Sequence, residues 1–167
     1  ELENMDADHL AQVFVKDIEI GMEGTEFRAG LLKVVTSGPV TKDRDRRLFE
    51  AVAIAHQITG APIISHCEHG TGALEQIELF NKLRIPLQKV TLSHSDKEND
   101  FGYHREILAS GINVEYDQSL RQFDEDAPPS ALLMKAMIDE GFIDQIMLGT
   151  DGARRSLWSS LGGTPGL

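Results

Sequence analysis

Apolar residues along the chain alternate between a helical period and short unbroken runs. From Asp8 to Met22, the residues Leu10, Val13, Phe14 and Ile18 share one helical stripe ahead of Gly21 and Gly24, which predicts an amphipathic helix that stops at glycine. Gly30-Leu-Leu-Lys-Val-Val-Thr36 is short, apolar and rich in β-branched residues, and it reads as a buried strand. Thr41 is the expected N-cap of a helix through Leu48, Ala51, Val52, Ala55 and Ile58, with Gly60 just past its end. The unit then repeats. Ala61 to Cys67 is a second strand, with Pro62 at its start, where a missing donor is tolerated. Gly70-Thr-Gly72 leads into a helix built on Leu74, Ile77, Phe80 and Leu83. Lys89 to His94 is a third strand, Ser95 to Asp100 a loop, Tyr103 to Ser110 a helix closed by Gly111, and Ile112 to Tyr116 a fourth strand. An irregular stretch from Asp117 to Pro129 precedes a helix from Ser130 to Glu140, and Gln145 to Gly149 is a fifth strand.

Strands that alternate with helices at roughly 23 to 33 residues define consecutive βα units, hence an α/β fold with a parallel sheet covered by helices. No break in composition marks a second domain, so residues 1–167 are expected to form a single domain. A doubly wound open sheet and a piece of a (β/α)8 barrel both fit this pattern. The open sheet would gain support from a glycine-rich phosphate loop, and neither G-x-G-x-x-G nor G-x-x-x-x-G-K-[ST] occurs.

Composition narrows the function. The 16 basic and 27 acidic residues leave a formal charge of -11, which argues against a broad nucleic-acid footprint, because phosphate contacts need a positive surface. No stretch of about 18 uninterrupted apolar residues is present, and the acidic first residues do not resemble a signal peptide, so no membrane partner is expected. The single cysteine excludes an internal disulfide and favours a reducing compartment, the cytoplasm by default. A homodimer is left open.

Polar residues able to bind a metal stand within or at the ends of the apolar strands: Lys33, His66, His94, and Asp151 after Leu148-Gly-Thr150. In a parallel barrel those ends converge on one face, where active sites are built. Two histidines and an aspartate make an N,N,O set that suits catalytic zinc or a similar ion with a position left for water, whose pKa the ion would lower to about 7. Each residue also has a plain reading. A histidine at a strand end is commonly just hydrogen-bonded, and Asp151 by default is a helix cap or a loop anion; beside a metal it would be ligand and proton acceptor. Lys33, between Leu32 and Val34, must either snorkel out of the sheet or be used inside it. As an ammonium it is a poor ligand, whereas its carbamate could bridge two cations. His69 falls in a loop; His9, His56 and His104 fall in helices and are expected to be solvated or packed. Alternation turns Cys67 away from His66, toward the helices, as a buried structural thiol.

Arg28-Ala-Gly-Leu-Leu-Lys33, Thr59-Gly-Ala-Pro-Ile-Ile-Ser-His66, Thr91-Leu-Ser-His-Ser-Asp96 and Gln145-Ile-Met-Leu-Gly-Thr-Asp151, in this order, resemble the phosphotriesterase family of the amidohydrolase superfamily. The resemblance covers essentially the whole chain. It implies a (β/α)8 TIM barrel with a centre of two divalent metal ions, most simply zinc. Lys33 would be the carboxylated, bridging lysine of the fourth barrel strand. His66 and His94 would bind the more exposed metal from strands five and six, and Asp151 would be the strand-eight ligand of the buried metal and the proton shuttle. Family members also supply a His-x-His pair from the first barrel strand, and this chain has none. Its first strand corresponds to the fourth of the barrel, which leads us to expect a C-terminal partial barrel lacking three βα units and the closing helix. A complete barrel needs about 250 residues, against 167 here.

Members of this family hydrolyse organophosphate triesters, lactones and phosphorylated sugar lactones. The resemblance implies a metal-dependent hydrolase acting on a small-molecule lactone or related carboxylic ester, with or without a phosphate. Phosphotriesters and cyclic amides are alternatives at the same centre, and a catalytically incomplete binding or structural module is another. Acyl-homoserine lactonases of the family place an arginine after the strand-seven aspartate; here Asp117 is followed by Gln118, which counts against that branch. Arg154 and Arg155 follow Asp151, and with Arg121 they could hold an anionic substrate group as bidentate forks. Equally, these arginines could pair with Asp124, Glu125 and Asp126. Trp158 is either a wall of the substrate pocket or a packed loop anchor.

Overall fold

The computed structural model describes residues 5–36, 43–122 and 126–163. Its elements run α1 (Ala7–Glu19), β1 (Leu32–Thr36), α2 (Asp43–Thr59), β2 (Ile63–Cys67), α3 (Ala73–Lys82), β3 (Val90–Ser93), α4 (Phe101–Ala109), β4 (Asn113–Tyr116), α5 (Pro129–Asp139) and β5 (Ile146–Leu148). Short 3-10 turns occupy several of the connections. All five strands expected from the sequence form, each a little shorter than its apolar run. The expected N-cap Thr41 lies outside the described residues. Two caps that the apolar pattern did not mark are aspartates. Asp6 accepts the His9 backbone N–H at 2.9 Å to start α1, and Asp100 accepts that of Tyr103 at 2.7 Å to start α4.

The strands pair in the order β1-β2-β3-β4-β5, every pair parallel. A doubly wound sheet reverses its strand order part-way; this one never does, so successive crossovers of one hand leave their helices on the same face. That is the wall of a (β/α) barrel. Burial follows the same logic. Leu32, Val34, Ile63, Cys67, Val90, Leu92, Val114 and Tyr116 point toward the helices and are buried with Phe49, Phe80, Ile107, Leu133 and Met137. The alternate positions, Lys33, Val35, Ile64, His66, Thr91, Asn113, Glu115 and Met147, line the other face and are less covered. Val35 and Met147 on that face are 49% and 48% exposed, an open apolar surface where a closed barrel would have its packed interior.

Helix α1 precedes the first strand and lies on α2, where Leu10, Ala11 and Ala51 form a small satellite core with Phe14, Leu48 and Ile54. No helix among the described residues is long and apolar enough to cross a membrane.

Phe49 of α2 and Phe80 of α3 meet with ring centroids 5.0 Å apart, both without solvent exposure. Truncating either leaves a cavity that the surrounding βα units cannot fill. Phe80→Ala should therefore lower unfolding free energy by about 3–5 kcal/mol, measured by urea denaturation; a loss below about 1 kcal/mol would show that this junction is not part of the cooperative core.

Candidate metal centre

Parallel pairing brings the C-terminal ends of the strands to one edge of the sheet. His66 lies on the uncovered face of β2, in register with Val35 of β1 and Ser93 of β3. His94 stands one residue beyond β3 rather than inside it, as its apolar run had suggested. Its φ of +63° turns the chain sharply out of the strand. That conformation is uncommon outside glycine, with asparagine, aspartate and histidine adopting it more often than other side chains, and its concentration at a site is a familiar form of local strain. The turn aims the His94 ring at His66, with centroids 4.5 Å apart and planes at 74°. On its other side His66 Nε2 meets Glu68 Oε2 at 3.0 Å, and this contact holds the Glu68 carboxyl below its ordinary range.

Two carboxylates approach His94. Asp117 directly follows β4, and its Oδ2 accepts the His94 backbone N–H at 3.2 Å and lies 2.7 Å from Nδ1. Asp151, at φ +40°, brings Oδ2 to 4.0 Å from the same nitrogen. One donor atom from each of His94, Asp117 and Asp151 falls within 4.8 Å of the others, the arrangement of a cation site. His94 Nδ1 is buried, and its close approach to Asp117 is not aligned as a hydrogen bond; among the described residues it has no other hydrogen-bond partner. Burial acts on both members of this pair in the same sense. It pulls the imidazole below its usual pKa and pushes the Asp117 carboxyl above its own, outweighing their mutual attraction.

Arg121 grips Asp151 twice, with Nη2 2.7 Å from Oδ2 and 2.8 Å from the backbone oxygen. Gln118 joins the two carboxylates' surroundings: its Nε2 donates to Asp117 Oδ1, and its Oε1 accepts from Arg121 Nη1 at 3.4 Å. Lys33 lies on the uncovered face of β1, where Nζ donates to Ser93 Oγ at 3.2 Å. Burial depresses its pKa, opposed by the negative charges of Glu115, Asp117 and Asp151. Glu115, also on this face, is pushed upward by burial and then by Asp117. It presses so closely on Gly149 that a Cβ there would overlap its carboxylate.

The structure thus draws Lys33, His66, His94 and Asp151 to one face and adds Asp117, Glu115 and Gln118. Asp117 carried a usable signal, since it follows an apolar strand directly, and Glu115 repeats the Lys33 pattern of a charge within a strand. Gln118 acts through loop geometry that spacing alone does not reveal. Arg121 is engaged with Asp151; of the acidic run, Asp124 and Glu125 lie outside the described residues. Arg154 and Arg155 are exposed, and neither shows a hydrogen bond or ion pair to the site among the described residues. Trp158 Nε1 donates to the Gly152 backbone oxygen at 2.6 Å, which pins the loop that follows Asp151. His69 points to solvent and His9 pairs with Asp6, while His56 and His104 are buried and hydrogen-bonded inside helices.

Against this geometry, the Phosphotriesterase family profile matches residues 2–164. The chain belongs to the phosphotriesterase family. A phosphotriesterase homology protein of Escherichia coli (strain K12) is 31% identical over 155 residues, which cover 92% of this chain and 53% of the relative. The crystal structure of a lactonase from Listeria monocytogenes superposes with a TM-score of 0.93 at 34% identity, covering 99% of this chain and 50% of that one. An aryldialkylphosphatase of Saccharolobus solfataricus (strain P2) is 27% identical over 89% of this chain and 48% of its own. The chain therefore spans about half the length of these family members, and the half it spans carries the strands described above.

Cys67 faces the helices, as alternation predicts, fully buried beside Gln76 Nε2 at 3.6 Å. Burial pushes its thiol up to about 12. A folded-state pKa above the unfolded value means that the native state keeps its proton longer, so stability should fall as pH rises through the ordinary thiol range toward about 12. In Cys67→Ser that fall should be absent. At neutral pH the native thiol should resist a thiol-specific reagent until the protein unfolds, and stoichiometric labelling of the folded protein would contradict this placement.

Proposed function

We propose that this chain supplies the catalytic face of a metal-dependent hydrolase that cleaves carboxylic esters, lactones foremost, whether or not the substrate carries a phosphate. The observation that carries the reading is the meeting of His66, at the end of β2, with His94, Asp117 and Asp151, which follow β3, β4 and β5, around a buried His94 Nδ1 that makes no aligned hydrogen bond among the described residues. A divalent cation is the group that would satisfy the ring nitrogen and offset both carboxylates together. The depressed pKa of His94 fits this role, because ligation requires the neutral ring. When bound, zinc or a similar ion supplies Lewis acidity and lowers the pKa of water.

The finer form of the proposal has two ions bridged by carboxylated Lys33. Burial favours the neutral amine, the form that adds to carbon dioxide. The nitrogen lone pair would form a bond to the carbon of carbon dioxide as one C–O π pair moves onto oxygen, one N–H proton would pass to solvent water, and the product would be an anionic carbamate with two donor oxygens. Asp151 offers Oδ2 as the proton acceptor for the attacking water, and Arg121 fixes the orientation of that oxygen. Because Arg121 is engaged there, recognition of an anionic substrate group falls to the exposed Arg154 and Arg155. Trp158, tied to Gly152 and 39% exposed, would wall the pocket beside them.

The likeness to the Listeria monocytogenes lactonase supports lactones over other esters. The Saccharolobus solfataricus aryldialkylphosphatase is the reason to include phosphotriesters in the assay. The test measures bound metal after dialysis and turnover on a panel of lactones, phosphotriesters and cyclic amides. Retained divalent metal with turnover greatest on a lactone is expected. His94→Ala should reduce metal affinity by more than the about 100-fold typical of losing an outer hydrogen-bond partner of a ligand. Metal content and rate unchanged in that variant would sink the assignment, and no retained metal in the parent would favour a binding or structural module.

A further inference from the structure

Asp96 sits two residues after His94 in the 3-10 turn Ser95–Lys97, with its side chain fully buried. Its two carboxylate oxygens reach across to the next loop. Oδ1 accepts the backbone N–H of Asp117 at 3.1 Å, and Oδ2 accepts that of Gln118 at 2.9 Å. Among the described residues no arginine or lysine shares these oxygens. The contact is returned from the other side, since Asp117 Oδ2 accepts the backbone N–H of His94 at 3.2 Å. His94, Asp96 and Asp117 thus close a ring of hydrogen bonds that spans the loops after β3 and β4. The loop after β2 is pressed onto the same turn. At Gly70, with φ +74°, a Cβ would overlap the backbone of Ser95 and Glu98.

We propose that Asp96 is a positioning residue for the site. It sets the separation of His94 from Asp117, and through Gln118 and Arg121 it sets the place of Asp151. The inference rests on the metal-centre reading above. The chemistry calls for a carboxylate in particular. Two N–H donors converge on Asp96, and only a carboxylate offers an acceptor to each while adding the strength of a charged acceptor. Asparagine at this position has one oxygen; its amide nitrogen would meet the second N–H donor to donor. Asp117 would then swing relative to His94 although no residue touching the ion had changed.

Asp96→Asn and Asp96→Glu, made in the purified protein, test this by titration with Co2+ followed by visible absorption. Each variant is measured well below its own melting temperature. The expected result for Asp96→Asn is a Co2+ affinity about 10–100-fold weaker and an altered ligand-field spectrum. Asp96→Glu keeps two acceptors but carries them outward, and it should fall between Asn and the parent. A lowered melting temperature with unchanged affinity and spectrum would mean that Asp96 only stabilises the fold, and it would overturn the proposal. If Asp96→Asn does not fold, Asp96→Glu decides alone, and a spectrum identical to the parent's counts against it. A parent that takes up no Co2+ refutes the metal reading instead. The clasp is then read from amide exchange in the metal-free protein: Asp117 and Gln118 should be protected in the parent and lose protection in Asp96→Glu or Asp96→Asn, and protection kept in both rejects it.

Discussion

Parallel pairing between neighbouring strands governs everything else in this chain. A strand that must run in the same direction as its predecessor has to return through a crossover, and crossovers of one hand place every helix on one side. The other side of the sheet is then free of helices, and all five strands finish at the same edge. Chemistry assembled there can draw on residues as far apart in sequence as Lys33 and Asp151. The apolar layer beneath, from Leu32 through Phe49 and Phe80 to Met137, fixes the strands and therefore the spacing of the side chains at their ends.

What gathers at that edge is costly in isolation. Lys33, Glu115, Asp117, Asp151 and Arg121 carry charge into a partly dehydrated region, and burial works against the charged forms of Lys33, Glu115 and Asp117. Mutual compensation keeps them there. Arg121 answers Asp151, and Lys33 feels Glu115, Asp117 and Asp151 together. A surplus of negative charge nevertheless remains around His94, whose Nδ1 has no hydrogen-bond partner among the described residues. Purely structural ion-pair networks tend to close on themselves with every donor used. Here, among the described residues, His94 Nδ1 makes no aligned hydrogen bond although it lies between the Asp117 and Asp151 carboxylates, and that arrangement is the argument for a cation.

The order and type of the elements were legible in the sequence because each signal was local. Apolar runs bounded by Gly60, Gly111 and Gly141 mark strands and helix ends through backbone conformation alone, and all three glycines adopt positive φ. Strand ends pointed to Lys33, His66, His94 and Asp151 because parallel pairing makes sequence-distant ends equivalent. Two kinds of information were not local. The ion pair of Arg121 with Asp151 joins residues 30 positions apart through loop paths that periodicity does not encode. The left-handed turn at His94 could not be read either, since nothing in Ser93-His94-Ser95 demands it; contact with Asp117 in the folded protein maintains it.

The same turn shows why the composition of the uncovered face matters as much as its ends. Val35 and Met147 are half exposed there, whereas Ser93 is buried and hydrogen-bonded to Lys33 and to the Ser65 backbone oxygen. A face meant for solvent would not carry those apolar side chains next to a lysine held by a serine. A face meant only for packing would not carry Lys33, His66 and Glu115. Its mixture is that of a barrel interior: Val35 and Met147 stand level with His66, Ser93 and Glu115 across the sheet, and Lys33 lies one layer below them. The lactonase of Listeria monocytogenes matches this wall over half its own length, so the open apolar side chains and the ionisable ones beside them belong to one interior. Electrostatic work at the rim is then set by how well that interior excludes water. Burial shifts the pKa values of Lys33 and Glu115 already in the described wall, and any further covering of the face would strengthen both shifts in the same directions.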